Sequence, residues 1–155
     1  MKNIAFEDID PVKDKMILLD IDGTLIADDG GLDFSSEVLE KVSSLRKNNR
    51  VFLCTNSNDR IKSSKIEKAL GLPIVTYDHT KPSSKIINKL GIEKGNRNLL
   101  VIGDKFLTDW LFAKNIGAGF LKTARKVSGK EPLVIKCINF IDDLIWQTME
   151  FLKII

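Results

Sequence analysis

The sequence predicts a doubly wound α/β fold, a Rossmann-like parallel sheet flanked by helices. Apolar runs of four residues recur at Met16-Ile17-Leu18-Leu19, Val51-Phe52-Leu53-Cys54 and Leu99-Leu100-Val101-Ile102, each the length of a buried strand and too short for a buried helix. Stretches with apolar residues at helical spacing lie between them, joined by short loops. Each run also stops at a polar cluster, and in such sheets ligands bind beyond the carboxyl ends of the strands.

Taken in order, residues 1–15 are a polar extension containing Pro11, and the first strand starts at Met16 and ends in Asp20-Ile21-Asp22-Gly23-Thr24. Asp28-Asp29-Gly30-Gly31 is a reversal where glycine can take positive φ. Ser35 or Ser36 caps a helix with Val38, Leu39, Val42 and Leu45 inward, closed by Asn48-Asn49. The second strand, Val51 to Cys54, ends in Thr55-Asn56-Ser57-Asn58, and Ile61, Ile66, Ala69 and Leu70 mark a second helix stopped by Gly71. After Pro73, Ile74-Val75-Thr76 reads as a shorter strand, and Lys81-Pro82 as the opening of a third helix with Ile86, Ile87 and Leu90 inward. Leu99 to Ile102 leads to Gly103-Asp104 and an amphipathic stretch with Trp110, Leu111 and Ala113, after which Gly119-Phe120-Leu121-Lys122-Thr123 forms a weaker fifth strand. Within 131–155 the apolar pattern suggests a strand near Leu133 to Ile138 and a helix from about Asp142. The 155 residues read as one domain, with a core over 16–125.

Composition narrows the function classes. A net charge of +3, spread along the chain, gives no strong nucleic-acid signal. Cys54 and Cys137 lie far apart with only His79 as a histidine, which argues against zinc frameworks and disulfide scaffolds and favours a reducing compartment. No apolar run reaches the ~18–20 residues of a membrane span, and the start is too acidic for a signal peptide. The expectation is a soluble cytoplasmic protein, with peripheral membrane association left open.

The predicted fold brings Asp20, Asp22, Asp104 and Asp109 into one pocket, where several carboxylates either keep protons or need a cation. Hard oxygen ligands select Mg²⁺. A divalent cation would bring in a phosphorylated substrate, against which one aspartate can act as nucleophile while a second, two residues away, protonates the leaving group and activates water. Thr55, Asn56 and Lys81 would supply donors and positive charge to the phosphoryl oxygens.

These residues resemble the haloacid dehalogenase superfamily. Asp20-Ile21-Asp22-Gly23-Thr24 is similar to its DxDGT signature, and the later signatures follow in order: a strand ending in Thr55-Asn56, Lys81 before Pro82, and Gly103-Asp104-Lys105-Phe106-Leu107-Thr108-Asp109 as a GDxxxxD motif. The resemblance implies that Asp20 is nucleophile and metal ligand, and that Asp22 is the general acid and base with its main-chain carbonyl on the metal. It makes Thr55 and Asn56 phosphate-binding, Lys81 the residue steadying charge between nucleophile and phosphate, and Asp104 the remaining metal ligand. Asp109 would hold a metal-bound water or orient Lys81. An acid at Asp22 points to a phosphatase or phosphotransferase, since dehalogenases lack it.

Roughly 30 residues separate Asp22 from Thr55 and about 25 separate Thr55 from Lys81, too few for an inserted cap domain. The chain therefore resembles a capless member, and the stretch from Gly103, with Asn115 and Gly117, is similar to the type IIIA branch that includes phosphatidylglycerophosphate phosphatases. Gly23 departs from that branch, which commonly has asparagine there. An open site suits a macromolecular phosphate, a lipid head group at a membrane, or a small molecule closed off by a homo-oligomeric partner. A catalytically idle domain that binds a phosphorylated partner is the reading from a different class.

Four other features have plainer readings. His79 reads as a loop residue at the pocket rim and Cys54 as a buried strand residue. Trp146 and Phe151 read as core or a dimer surface, with an interfacial membrane helix as the alternative. Lys122, Arg125, Lys126 and Lys130 form a basic run, either a solvated loop or an attractor of anionic substrate.

Overall fold

The computed structural model describes residues 4–29, 31–76 and 78–154. Its strands are β1 (Met16–Asp20), β2 (Arg50–Cys54), β3 (Leu99–Gly103) and β4 (Gly119–Lys122), and its α-helices α1 (Ser36–Asn48), α2 (Arg60–Leu70), α3 (Lys85–Asn88), α4 (Leu111–Ile116) and α5 (Leu133–Phe151). The strands form one parallel sheet in the order β2-β1-β3-β4, with Leu18 between Phe52 and Val101 in register. The chain moves from β1 outward to β2, then crosses to β3 on the other side of β1. That reversal opens a crevice between the β1 and β3 ends, where a doubly wound sheet binds ligands.

Side-chain alternation explains the two layers. Ile17, Leu19, Leu53 and Ile102 join Val38, Val42 and Leu45 of α1 and Ile66 and Leu70 of α2 in one core. Leu18, Cys54, Leu99 and Val101 meet Ile86, Ile87, Phe112 and Ile116 in the other. Only one stripe of each helix reaches the sheet, so Leu39 and Ile61, expected inward, are exposed. The segment ahead of β1 is not detached: Ile4 bridges Thr123, and Phe6 and Ile9 are buried in the first core.

Four expectations are corrected. Ile74 makes only an isolated bridge to Leu53, because Thr76 turns its hydroxyl to accept from Thr55 N–H (3.0 Å). The third helix begins at Lys85 rather than Lys81, whose N–H and C=O are both taken by the Asn56 side chain, and the Lys81-Pro82 peptide is cis. The amphipathic stretch starts as a π-turn at Phe106–Trp110, with Trp110 N–H donating to Lys105 C=O, before α4 continues it. Finally, 133–138 is the start of the 19-residue α5, entered from Pro132. Its buried stripe, Asn139, Asp142 and Trp146, recurs at helical spacing, whereas the apolar run that suggested a strand lies outside. The expected reversal over 28–31 includes Gly30, which lies outside the described residues.

Candidate active site

β1 delivers Asp20 to the crevice, and the chain then folds back through a tight turn in which Gly23 N–H donates to Ile26 C=O (2.7 Å). Thr24, fully buried in that turn, donates to Asp20 Oδ2 (2.8 Å) and lies 3.4 Å from Asp104 Oδ1, so one hydroxyl spans the two carboxylates. Gly23 has φ +92°, and a Cβ there would stand 2.7 Å from Asp104 Oδ2. A Cβ on Gly103 would overlap the Asp109 carboxyl. Both glycines are thus required by a carboxylate pressing on the backbone.

Lys81 is 5% exposed, and its ammonium lies between Asp20 Oδ1 and Asp109 Oδ1, the latter at 2.6 Å. Burial opposes its charge, but Asp109 and Asp20 outweigh it and hold the group above the usual lysine range. Asn56 places that lysine by donating to Lys81 C=O (2.9 Å) and accepting from Lys81 N–H (2.7 Å). Asp109, on the π-turn, also accepts from Lys105 N–H (3.0 Å), which commits both its oxygens. π-Turns of this kind occur often at functional sites.

Asp22 stands apart from this buried group. Its carboxylate accepts from Lys62 Nζ (2.7 Å) and Thr55 Oγ1 (2.9 Å), and its main-chain carbonyl accepts from Lys105 Nζ (3.1 Å). A cleft of about 260 Å³ joins the two halves, lined by Asp20, Asp22, Asn56, Lys81, Lys105 and Ile135 among others. Asp20, Asp104 and Asp109 offer buried carboxylate oxygens within 4.8 Å of one another. Burial, with the charges of Asp20 and Asp109 adding to it, pushes the Asp104 carboxyl up to about 7 against the pull of Lys105 and Arg125. A buried all-oxygen donor set of three carboxylates fits a hard divalent cation such as Mg²⁺.

All seven residues singled out in the sequence therefore line or support one crevice. Four more belong to it that no sequence argument assigned, Thr24, Lys62, Lys105 and Asp142, and a fifth, Arg125, is marked in the sequence only as part of the basic run. Lys105 also donates to Asp28 Oδ2 (2.8 Å), and Lys62 reaches Asp22 from the first turn of α2, which starts at the same sheet edge. Arg125 Nε donates to Asp104 Oδ2 (2.5 Å), while its other nitrogens reach Asn139 C=O (3.3 Å), Asp143 (3.0 Å) and Asp142 (3.4 Å) on α5. Asp142, 1% exposed, accepts from Phe106 and Leu107 N–H, both at 2.8 Å, and so pins the start of the π-turn.

Three members of the basic run, Lys122, Arg125 and Lys126, are paired within the protein, while Lys130 lies on an exposed loop. Lys122 is buried, donating to Asp104 C=O (3.1 Å) with its ammonium 5.0 Å from the Trp146 ring, and Lys126 pairs with Glu7. Cys54 is inert, since burial pushes its thiol up to about 12. His79 is half-buried, outside the residues that line the cleft. Among the described residues no helix is long and apolar enough to cross a membrane.

Among solved structures, the HAD-hydrolase YfnB from Bacillus subtilis bound to magnesium is similar at 20% identity, over 58% of this chain and 44% of its own, with a TM-score of 0.49. The chain thus spans less than half the length of that protein. No curated relative matches. Residues 17–117 match the family model of haloacid dehalogenase-like hydrolases, well over half of the chain and every residue of the crevice up to Asp109, and the chain belongs to that family.

Proposed function

We propose that this hydrolase is a Mg²⁺-dependent phosphomonoesterase that works through an aspartyl-phosphate on Asp20. The observation that carries the reading is the position of Asp20: at a strand end, on the cleft wall, with a charged lysine on one oxygen and Asp104 facing it across Thr24. A cation held by Asp20, Asp104 and the Asp22 carbonyl would neutralise phosphoryl charge. Lys81 would stand against Asp20 and take up charge on the phosphoryl oxygens as the ester bond breaks, with Thr55 and Asn56 forming the adjoining wall. Asp22 would deliver a proton to the leaving oxygen and then accept one from the attacking water, its carboxyl placed by Thr55 and Lys62. Asn56 and Asp109 would act through Lys81, which they position.

Among the described residues, the segment from Asp22 to Lys81 contains the post-β1 turn and loop, α1, β2 and α2 with their connections, which supports a capless, type IIIA-like member with an open site. Ile135 on the cleft wall, next to exposed Leu133 and Val134, supports a substrate with an apolar portion, a lipid phosphate included. Hydrolysis of an aryl phosphate and of a phosphatidylglycerophosphate-type lipid, each with Mg²⁺, with EDTA, and with Asp20→Asn, tests the proposal. Mg²⁺-dependent turnover that falls at least about a thousandfold in Asp20→Asn is expected. Full activity of Asp20→Asn overturns the nucleophile assignment, and a chain that neither turns over substrate nor binds Mg²⁺ reverts to the binding-domain reading.

A further inference from the structure

α5 is built the wrong way round for a surface helix of a monomer. Its inner stripe carries Asn139, Asp142 and Trp146, whereas its outer side is apolar. Val134, Ile138, Ile141, Ile145, Thr148 and Leu152 follow one another at steps of four and three residues, the spacing of a coiled-coil seam. Of these, Val134, Ile138, Ile141 and Leu152 are 47–68% exposed. Cys137, Leu144 and Phe151, seven residues apart, widen the seam on one side. The hydroxyl of Thr148, the one polar member, donates to Leu144 C=O (2.8 Å) and can be covered without loss.

Val134, Ile138, Ile141, Leu144, Phe151 and Leu152 are each 47–85% exposed along one side of the helix, a contiguous apolar face rather than the singly scattered residues of an ordinary monomer surface. A contiguous exposed apolar face of this kind marks an interaction surface, and a stable interface buries about 800 Å² per partner. The side of the helix away from the seam carries Lys136, Asp143 and Glu150, mixed and mainly acidic, whereas helices that lie on anionic lipid have a polar face rich in Lys and Arg. Heptad spacing along a single helix is self-complementary, as a twofold contact requires.

We propose that this face of α5 packs against the same face of a second copy of the chain, forming a homodimer through a helix pair. The seam starts one residue from Ile135 on the cleft wall, so the partner borders the mouth of an otherwise open site. The assay is sedimentation equilibrium of the wild type, of Ile141→Glu/Leu144→Glu, and of Leu39→Glu as a control on exposed α1 surface. A second arm is flotation with vesicles of phosphatidylcholine and phosphatidylglycerol. The wild type and Leu39→Glu are expected at twice the 17.4 kDa chain mass, without vesicle binding. The double variant, whose sites are both exposed, should keep its helical circular dichroism yet weaken association at least about a hundredfold. A wild type that stays at 17.4 kDa at high micromolar concentration, a double variant that dimerises unchanged, or a chain that floats with vesicles overturns the proposal.

Discussion

Asp142→Asn isolates the contact by which α5 holds the site. The two side chains have nearly the same shape, so packing around Trp146 is kept and only the hydrogen bonding changes. In the wild type the carboxylate accepts from Phe106 and Leu107 N–H at 2.8 Å each. An amide can accept only one, and its NH₂ then faces the second N–H, leaving a buried donor unpaired. A hydrogen bond to a charged group is worth about 1.5–3 kcal/mol and an orphaned buried donor costs a similar amount, so with the weakened Arg125 contact the change should cost roughly 2–4 kcal/mol. For a domain of this size that lowers Tm by about 5–12 °C. Asp143→Asn is the matched control: its carboxylate is half-exposed, and an exposed pair contributes at most about 1 kcal/mol. Thermal unfolding followed by circular dichroism compares the two, and near-ultraviolet signals report the Phe106–Trp110 stack (4.5 Å) that the π-turn carries. If Asp142→Asn melts within about 1 °C of wild type, or no lower than Asp143→Asn, α5 does not anchor the π-turn in solution.

Two further outcomes follow from the same geometry. Cys54 is buried with its thiol pushed up to about 12, so an aromatic disulfide reagent at pH 8 should leave it unmodified in the native protein and titrate it in guanidinium; fast native modification of Cys54, read by peptide mapping, would contradict the buried β2 position. Arg125→Met removes a cation from Asp104 and should tighten Mg²⁺ binding, read from tryptophan fluorescence, by about tenfold (~1.4 kcal/mol); unchanged or weaker binding would show that Arg125 does not compete for that carboxylate.

The sheet was legible because buried parallel strands leave near-continuous apolar runs, and the carboxylates were legible because each closes such a run or follows one within a few residues. Helix termini read from caps held where a side chain makes the cap, as Ser35 does for α1. The misreadings share a cause. Lys81-Pro82 looks like a helix start, but its backbone is claimed by Asn56, 25 residues earlier. The 133–138 run looks like a strand because apolar residues were assigned inward, and on α5 the inward stripe is largely polar. Lys62, Lys105, Arg125 and Asp142 escaped because the partners that hold them lie 14 to 83 residues away, and no local pattern marks such a contact.

The protein cations of the site differ in how freely each can leave its carboxylate. Lys81 is shared by Asp20 and Asp109, all three buried, and removing it would strand two negative charges. Lys62 serves Asp22 at the open edge, and Lys105 is shared by Asp28 and the Asp22 carbonyl while approaching Asp104 no closer than 3.9 Å. Arg125 alone holds Asp104 with one nitrogen and keeps three contacts elsewhere, on Asn139, Asp142 and Asp143. It can release Asp104 at the cost of one charge-assisted bond, about 1.5–3 kcal/mol, and remain paired. A divalent cation together with a phosphate dianion adds no net charge, so a site that gives up only this one contact keeps its balance when both are bound. The family match ends at Gly117, while Arg125 and α5 follow it. The cation that can leave Asp104 and the helix that retains it thus lie outside the matched residues, and Arg125 is where the crevice and α5 meet.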